Sequence, residues 1–259
     1  MQSVENPERI RIPKVAEVVA NTLRRKIVTG EYEIGELLPP EGSLMSTFDV
    51  ARTTIRDAFR ILETEGLLEV RRGGGGGGRV RAPATAMVAD YAALLLQFEH
   101  TTVEDVHVGR TLIEAPAAGL LARTADDAAL ESLRALLADE ASATDEASLI
   151  RAEGRFHRAV VDLAGNRVVS LLSAVAGRLI AEQIARVSGP AASVDESEDL
   201  PAPDPAYAKA HRAHVRLVKL IEAGDSAAAE ALWRRHLDAG TAELAGRPRA
   251  ARSVLDLLP

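Results

Sequence analysis

From residue 84 to residue 245 apolar side chains recur at helical spacing, interrupted by short turns and by one acidic, proline-rich gap. This pattern constrains the fold more than any other feature of the chain. Apolar positions three and four apart give each helix one stripe, and a set of such stripes is buried by packing the helices on one another. The spacing predicts helices over about 84–98, 102–123, 126–141, 145–164, 167–187, 206–223 and 226–245, with Gly165-Asn166 and Gly224-Asp225 as stop and start signals. Hydrophobic residues make up 47% of the sequence and aromatic ones only 3%, so the core must be Ala, Leu, Val and Ile, which suits helices better than an aromatic-rich sheet. The gap at 188–205 carries Asp195, Glu196, Glu198, Asp199 and repeated prolines and reads as a loop; residues 248–259 read as a loosely held tail.

The segment before Pro83 is of another kind. A helix over 13–29 starts at Pro13, stops before Gly30 and carries the stripe Val15, Val18, Val19, Leu23 and Ile27. A turn at Gly35–Glu41 with two prolines leads to a short helix, Gly42 to Phe48, and a break around Asp49. Thr53 and Thr54 are placed to cap a third helix that runs to Glu65 and stops at Gly66; its buried face is Ile55, Ala58, Phe59 and Leu62. Leu67–Arg72 reads as a strand, six consecutive glycines follow at Gly73–Gly78, and Arg79 to Arg81 begin a second strand. No Lys-Ser/Thr follows the glycines and no helix opens after them, so a hairpin fits better than a phosphate-cradling loop, with an interdomain linker as the alternative. The expected fold is mainly α. A winged helix-turn-helix of three helices and a two-stranded wing occupies 1–82, an all-α bundle 83–247, and the tail 248–259.

The formal net charge of −7 argues against a protein that coats nucleic acid indiscriminately, yet the charge is unevenly divided. Residues 1–82 hold 13 basic and 12 acidic groups, which leaves a balance of −8 for the rest. Seven arginines lie between 52 and 81 against four acids, a local excess that points to a confined anionic partner. Cysteine is absent, which removes disulfides, thiolate metal sites and cysteine nucleophiles together. The first twenty residues are interspersed with Glu5, Glu8, Arg9, Arg11, Lys14 and Glu17, and no apolar run approaches the length of a bilayer span. A cytoplasmic protein with no membrane partner is expected, nucleoid-associated when on DNA.

Arg52, Arg56 and Arg60 repeat every four residues on the third helix, away from its apolar stripe. Arginines on the outer face of a helix packed on a short preceding one suit entry into a major groove, where a guanidinium can bond both O6 and N7 of guanine; a solvated basic face is the bland alternative. Leu38-Pro39-Pro40-Glu41, Val50-Ala51-Arg52-Thr53-Thr54-Ile55-Arg56-Asp57-Ala58, Leu62-Glu63-Thr64-Glu65-Gly66-Leu67-Leu68 and Arg71-Arg72-Gly73 together resemble the winged helix-turn-helix of GntR-family transcriptional regulators over residues 13–82. The resemblance implies operator contacts at Arg52, Thr53, Thr54 and Arg56, with Arg72 and Gly73 at the wing. The chain departs from the family at Gly42, where a basic residue is frequent, and at Ala51, where Ser or Thr is usual.

Four of the six histidines, 157, 211, 214 and 236, lie on helices of the carboxy-terminal half. Glu153 precedes His157 by one turn; His214 shares a face with Val218 and Ile221, and His236 with Leu232, Trp233 and Gly240. Inward imidazoles with a carboxylate assemble an N/O site for zinc, nickel or manganese, although any one of them also reads as a hydrogen-bonded core residue. Arg110-Thr-Leu-Ile-Glu114, Phe156-His157, Ala164-Gly165-Asn166, His214 and His236-Leu237 resemble the FadR-type ligand domain called FCD. That likeness implies one divalent ion, zinc before nickel or manganese, on Glu153, His157, His214 and His236, with glutamate standing where the family has aspartate. It also implies a small organic-acid effector clamped by Arg110, with Asn166 at the pocket. From residues alone, Arg110 and Glu114 read as an exposed i, i+4 pair, Asn166 as part of a helix-terminating turn, and His211 as a neighbour or outer support of His214.

The sequence therefore predicts a ligand-responsive regulator, a repressor, that binds a short inverted repeat in double-stranded DNA as a homodimer. The rival reading is a helical metal-dependent hydrolase joined to a DNA-binding head, against which stand the missing His-Glu-x-x-His pair and nucleophile elbow. A structural adaptor leaves the arginine helix unexplained.

Overall fold

Helix α1 (Val15–Val28) buries Val19, Ala20, Leu23 and Ile27. In the computed structural model, which describes residues 14–70, 77–188, 205–246 and 253–254, it packs on α3 (Arg52–Thr64), whose buried face is Ile55, Ala58, Phe59 and Leu62 as expected. Val15 and Val18, expected in the α1 stripe, are exposed, because the seam follows the i, i+4 row 19-23-27 and leaves both off its edge. The short α2 (Glu41–Phe48) sends Leu44 into the same core and ends at Asp49, whose left-handed backbone (φ 51°) turns the chain toward α3. The start of α3 differs from the sequence expectation. Ala51 is its N-cap and makes no side-chain cap bond, so Thr53 and Thr54 lie inside the first turn.

Gly66, at φ 73°, ends α3, and the chain continues into β1 (Leu68–Val70). This strand pairs antiparallel with β2 (Gly78–Val80) in the register Leu68 to Val80 and Val70 to Gly78. Leu37 adds a bridge to Arg79, and Arg79 Nη1 donates to the Gly35 carbonyl at 2.5 Å, which ties the two-stranded wing to the turn before α2. Arg72, Gly73 and most of the glycine run lie outside the described residues, as do the expected loop at 189–204 and most of the tail.

Contacts divide the chain into two compact units, Met1–Met87 and Val88–Pro259. The second begins within α4 (Thr85–Phe98) and continues through α5 (Val103–Thr124), α6 (Asp127–Ala141), α7 (Glu146–Leu163), α8 (Arg167–Ser188), α9 (Pro205–Glu222) and α10 (Ser226–Ala245). Thr102, Asp126 and Asp145 cap α5, α6 and α7 by accepting from backbone N–H groups three residues on, and Asp225 does the same for Ala228 at the start of α10. Helix α5 is the hub. It packs against α7, α8, α9 and α10, which is why apolar residues lie all round it, while α6 lies outside on α7 and α9. Its closest approach is to α10, where a Cβ on Gly119 would come within 3.1 Å of the Ser226 carbonyl and 3.2 Å of the Glu230 side chain. Phe156, Leu217, Trp233 and Leu133 are fully buried in the shared core. Part of the expected loose tail is held: Ser253 bridges Thr102, and Val254 is buried with Ala93, Val103 and Ile180.

Candidate metal centre, effector cavity and DNA-facing helix

Arg52, Thr53 and Arg56 are exposed on the first two turns of α3, and Thr54 is half-buried. The arginines do not lie free. Glu41, at the start of α2 and only 19% exposed, has its carboxylate 3.2 Å from Arg56 Nε and 3.6 Å from Arg52 Nε, so one acid holds two cations over the outer face of α3. Arg60 instead faces Asp57 at 3.5 Å. Glu41 lies within the Leu-Pro-Pro-Glu run, and its spacing of 11 and 15 residues from the arginines gives no sign that it touches them.

In the bundle the four residues singled out from the sequence come together. One ligand atom from each of Glu153, His157, His214 and His236 lies within 4.8 Å of all the others. Nε2 of His236 is 3.1 Å from Nε2 of His214 and 3.2 Å from Nε2 of His157, and Glu153 Oε1 is 3.9 Å from the latter. Helix α7 supplies Glu153 and His157 one turn apart, α9 supplies His214, and α10 supplies His236. Phe156 stacks on His214 with ring centroids 4.4 Å apart, and Trp233 lies 4.5–5.5 Å from all three imidazoles, so each ring is wedged in one orientation.

The chemistry of these contacts fits a cation. Glu140 of α6, buried, accepts from His214 Nδ1 at 2.9 Å, which leaves His214 Nε2 as a bare acceptor. Arg110 Nη2 lies 2.6 Å from His157 Nδ1 and, having only protons to offer, places the His157 proton on Nε2. His236 Nε2 then faces a lone pair on one side and an N–H on the other, and as a donor or as an acceptor it matches only one of them. A divalent ion would be held by lone pairs from all three nitrogens if His157 and His236 carried their protons on Nδ1. Two of the imidazoles, His157 and His236, are held neutral, as ligation requires. Burial, helped by the Arg110 cation, keeps His157 well below the ordinary imidazole range, and burial with His214 nearby pushes His236 down to about 3. Burial raises the Glu153 carboxyl, although its side chain keeps 29% of its surface on the cavity side. At Glu140 burial opposes ionisation, but the bonds and charge interactions with His214 and His211 outweigh it and hold the pKa below the usual value.

A cavity of about 930 Å³ opens beside this cluster, lined by Glu153, His157 and His236 and also by His107, Arg110 and Ser173. Arg110 and Glu114 are not the exposed pair that spacing suggests. Their side chains are 17% and 3% exposed, with Arg110 Nε donating to Glu114 Oε1 at 3.0 Å, because this face of α5 is turned toward His157 of α7 and Ser173 of α8 while Val108 and Leu112 face out. Asn166 does not line the cavity. It is exposed, and its Oδ1 accepts from the N–H groups of Val168 and Val169, so it caps α8. His211 shares Glu140 with His214, at 2.9 Å.

Glu140 and Ser173 were not singled out from the sequence, and Glu114 only as a partner for Arg110. The signal for both acids was a carboxylate on an apolar face: Glu140 falls at i+7 from buried Leu133, and Glu114 beside buried Ala115 and Ala118. His107, whose Nε2 lies 2.6 Å from Gln183 Oε1 across buried surface, carried no signal beyond its residue type.

Family models agree with this division of labour. The model for bacterial regulatory proteins of the gntR family matches residues 15–76, and the FCD domain model matches residues 105–239. The HTH-type transcriptional repressor NanR of Cronobacter sakazakii is 28% identical over 230 residues, 87% of this chain and 83% of that protein. The NanR of Citrobacter rodentium is 27% identical over 234 residues, 88% and 85% of the two chains. Among solved structures, a GntR protein of Streptococcus agalactiae superimposes with a TM-score of 0.62 at 23% identity, covering 88% of this chain and 99% of that one, which speaks for the fold.

Proposed function

The chain belongs to the GntR family of bacterial regulatory proteins and carries an FCD domain, and from that premise we propose that it represses transcription by binding an inverted-repeat operator as a homodimer and is modulated by a carboxylate that enters the cavity beside a divalent ion. It is a ligand-responsive transcriptional regulator, not an enzyme. The observation that carries the finer reading is the convergence of three Nε2 atoms and one carboxylate at the wall of a cavity that Arg110 also lines. Glu153, His157, His214 and His236 are the ligands in this reading, zinc is the first candidate, and the bound ion supplies a Lewis-acidic anchor for an anionic effector. Arg110 is the effector's cationic partner.

On the DNA side, Arg52, Thr53, Thr54 and Arg56 make the contacts of α3, and Arg72 and Gly73 those of the wing. A two-fold protein requires matching half-sites, and occupancy of the FCD domain changes the spacing of the two heads. The repressor role follows the names of the NanR relatives. Such a protein works in the cytoplasm, on the nucleoid.

An electrophoretic shift with the DNA upstream of its own gene tests this reading. A retarded band at low salt that is lost in Arg52→Ala and altered by carboxylic acids with Zn2+ present is the expected result. No shift by the purified protein overturns it.

A further inference from the structure

Glu114 stands between the two halves of the proposed site, and nothing in its spacing gives it more than a pairing role. Its carboxylate, 3% exposed, accepts from Arg110 Nε at 3.0 Å and from Ser173 Oγ at 3.2 Å on Oε1, while Oε2 lies 3.3 Å from His157 Nδ1. Residues of α5, α7 and α8 thus meet on one buried acid.

His157 Nδ1 has two neighbours that make opposite demands. Arg110 Nη2, 2.6 Å away, needs a lone pair; Glu114 Oε2 needs an N–H. A neutral imidazole has one of each, on opposite nitrogens. While Arg110 donates to Nδ1, the proton sits on Nε2 and that atom has no lone pair for a cation. For Nε2 to ligate, Nδ1 must carry the proton, and Glu114 Oε2 is the acceptor in place for it. Arg110 must then withdraw, because two N–H groups cannot face each other at that distance.

We propose that Glu114 couples effector to metal: a carboxylate in the cavity draws Arg110 off His157, and Glu114 then takes the His157 Nδ1 proton as a hydrogen bond, which frees Nε2 for the ion. The bookkeeping is one proton moved within one ring, with no change in net charge. This inference rests on the reading that the cavity takes a carboxylate beside a divalent ion, and it makes the two bind with positive cooperativity, each tightening the other by the same factor. Glu114 is a positioning residue here, acting through His157 and Arg110.

The test uses the full chain, with Co2+ as the metal and acetate as the carboxylate. Co2+ affinity is measured by calorimetry with and without saturating acetate, in the parent, Glu114→Gln and Arg110→Met. In the parent, acetate is expected to tighten Co2+ by about 5–150-fold, the usual size of a coupling between sites. Glu114→Gln offers His157 Nδ1 no anionic acceptor; Co2+ affinity should fall about 10–100-fold, as for loss of an outer-shell partner, and the acetate effect should shrink to what a direct contact of acetate with the ion supplies. Arg110→Met removes the competitor, so Co2+ should bind more tightly without acetate and keep only that smaller, direct acetate effect. This opposite sign is not expected of a merely structural role, and the variant decides the matter if Glu114→Gln does not fold. Imidazole 15N shifts supply a direct readout, with His157 as the Nε2–H tautomer in the metal-free protein.

Failure of the parent to bind Co2+ overturns the metal reading and this inference with it. Co2+ binding that acetate leaves unchanged in the parent, or an acetate effect that survives undiminished in Glu114→Gln or Arg110→Met, leaves the metal reading standing and overturns the coupling. The second result means that acetate acts through the ion alone. An Nδ1–H tautomer in the metal-free protein overturns it as well.

Discussion

Nε2 of His236 lies 3.1 Å from Nε2 of His214, closer than two nitrogens approach unless a proton or a cation lies between them. With His214 Nδ1 bonded to Glu140, the His214 nitrogen is the acceptor of the pair. His236 is therefore the donor of the pair and, like His157, must carry its proton on Nδ1 before its Nε2 can take a cation, and His236→Ala is expected to abolish binding of one equivalent of Zn2+ or Ni2+. Trp233, the only tryptophan, has its ring centroid 4.8 Å from that of His236, so paramagnetic Ni2+ should quench its fluorescence in the parent and not in the variant. Unchanged quenching places the ion elsewhere.

Chelation should lower the thermal midpoint of the protein. An ion at a hundred times its dissociation constant stabilises the fold by about 2.7 kcal/mol, and for a chain of this size each kcal/mol moves the midpoint by about 2–4 °C. A scan before and after EDTA treatment is expected to show a loss of that order, restored by Zn2+. No difference in the parent means that the ion, if bound, is not linked to folding.

The metal-free protein should lose stability as pH falls below about 6.5. His157 and His236 remain neutral in the fold, while in the unfolded chain both take protons near the ordinary imidazole value. The unfolded state therefore binds more protons between pH 6.5 and the depressed folded value, about 3 for His236, at up to about 1.4 kcal/mol per pH unit for each ring. Glu153, raised by burial, works the other way near its own titration, and Glu140, lowered, adds to the acid loss below the usual carboxylate range. Urea midpoints from pH 7.5 to 4.5 should fall steadily, with a shallower slope in His236→Gln. A flat profile contradicts this account.

Glu41→Gln should loosen the DNA-facing helix from its restraint. The pair it makes with Arg56 has its arginine end in solvent and contributes at most about 1 kcal/mol to folding, so stability should hardly change. Its effect belongs to binding: one negative charge leaves the side proposed to meet phosphate, and Arg52 and Arg56 gain freedom. Non-specific affinity should rise with a salt slope steeper by about one ion, and the ratio of operator to random-DNA affinity should fall. Fluorescence anisotropy across a salt series with both DNAs reads the two effects apart.

Helix positions and turn residues were legible in the sequence because each is a local signal, and the set of four converging residues through the resemblance to the FCD domain. Glu153 and His157 are one turn apart, His214 and His236 sit on apolar stripes, and Gly66, Gly165 and Gly224 end helices at positive φ. What escaped was set by tertiary contact. Glu140 reaches His214 across 74 positions, Ser173 reaches Glu114 across 59, and Glu41 touches two arginines of another helix. Asn166 shows the reverse failure: a residue beside the pocket-forming helices in sequence turned outward, because the start of α8 needed an acceptor for its first N–H groups. The burial of Arg110 followed from which face of α5 turns inward, which apolar residues on every side of that helix, exposed Leu112 among them, do not reveal.

Ala51→Ser is expected to stabilise the protein. Ala51 is the N-cap of α3, with extended backbone (φ −67°, ψ 155°) that suits a capping side chain, yet it has no oxygen to accept from the N–H groups one turn on. Its carbonyl already accepts from Thr54 and Ile55, so the helix start is formed and only the side-chain acceptor is missing. The position is exposed, and a hydroxyl adds no buried volume. Supplying such a cap stabilises a helix start by about 1 kcal/mol. Because α3 contributes Ile55, Ala58, Phe59 and Leu62 to the core of its unit, that gain should appear as a higher midpoint in urea unfolding followed by circular dichroism. Phosphate contacts made by the free N–H groups at the start of α3 would weaken at the same time, so operator affinity should not rise in step with stability. A variant no more stable than the parent would mean that solvent already satisfies those N–H groups as well as a serine does.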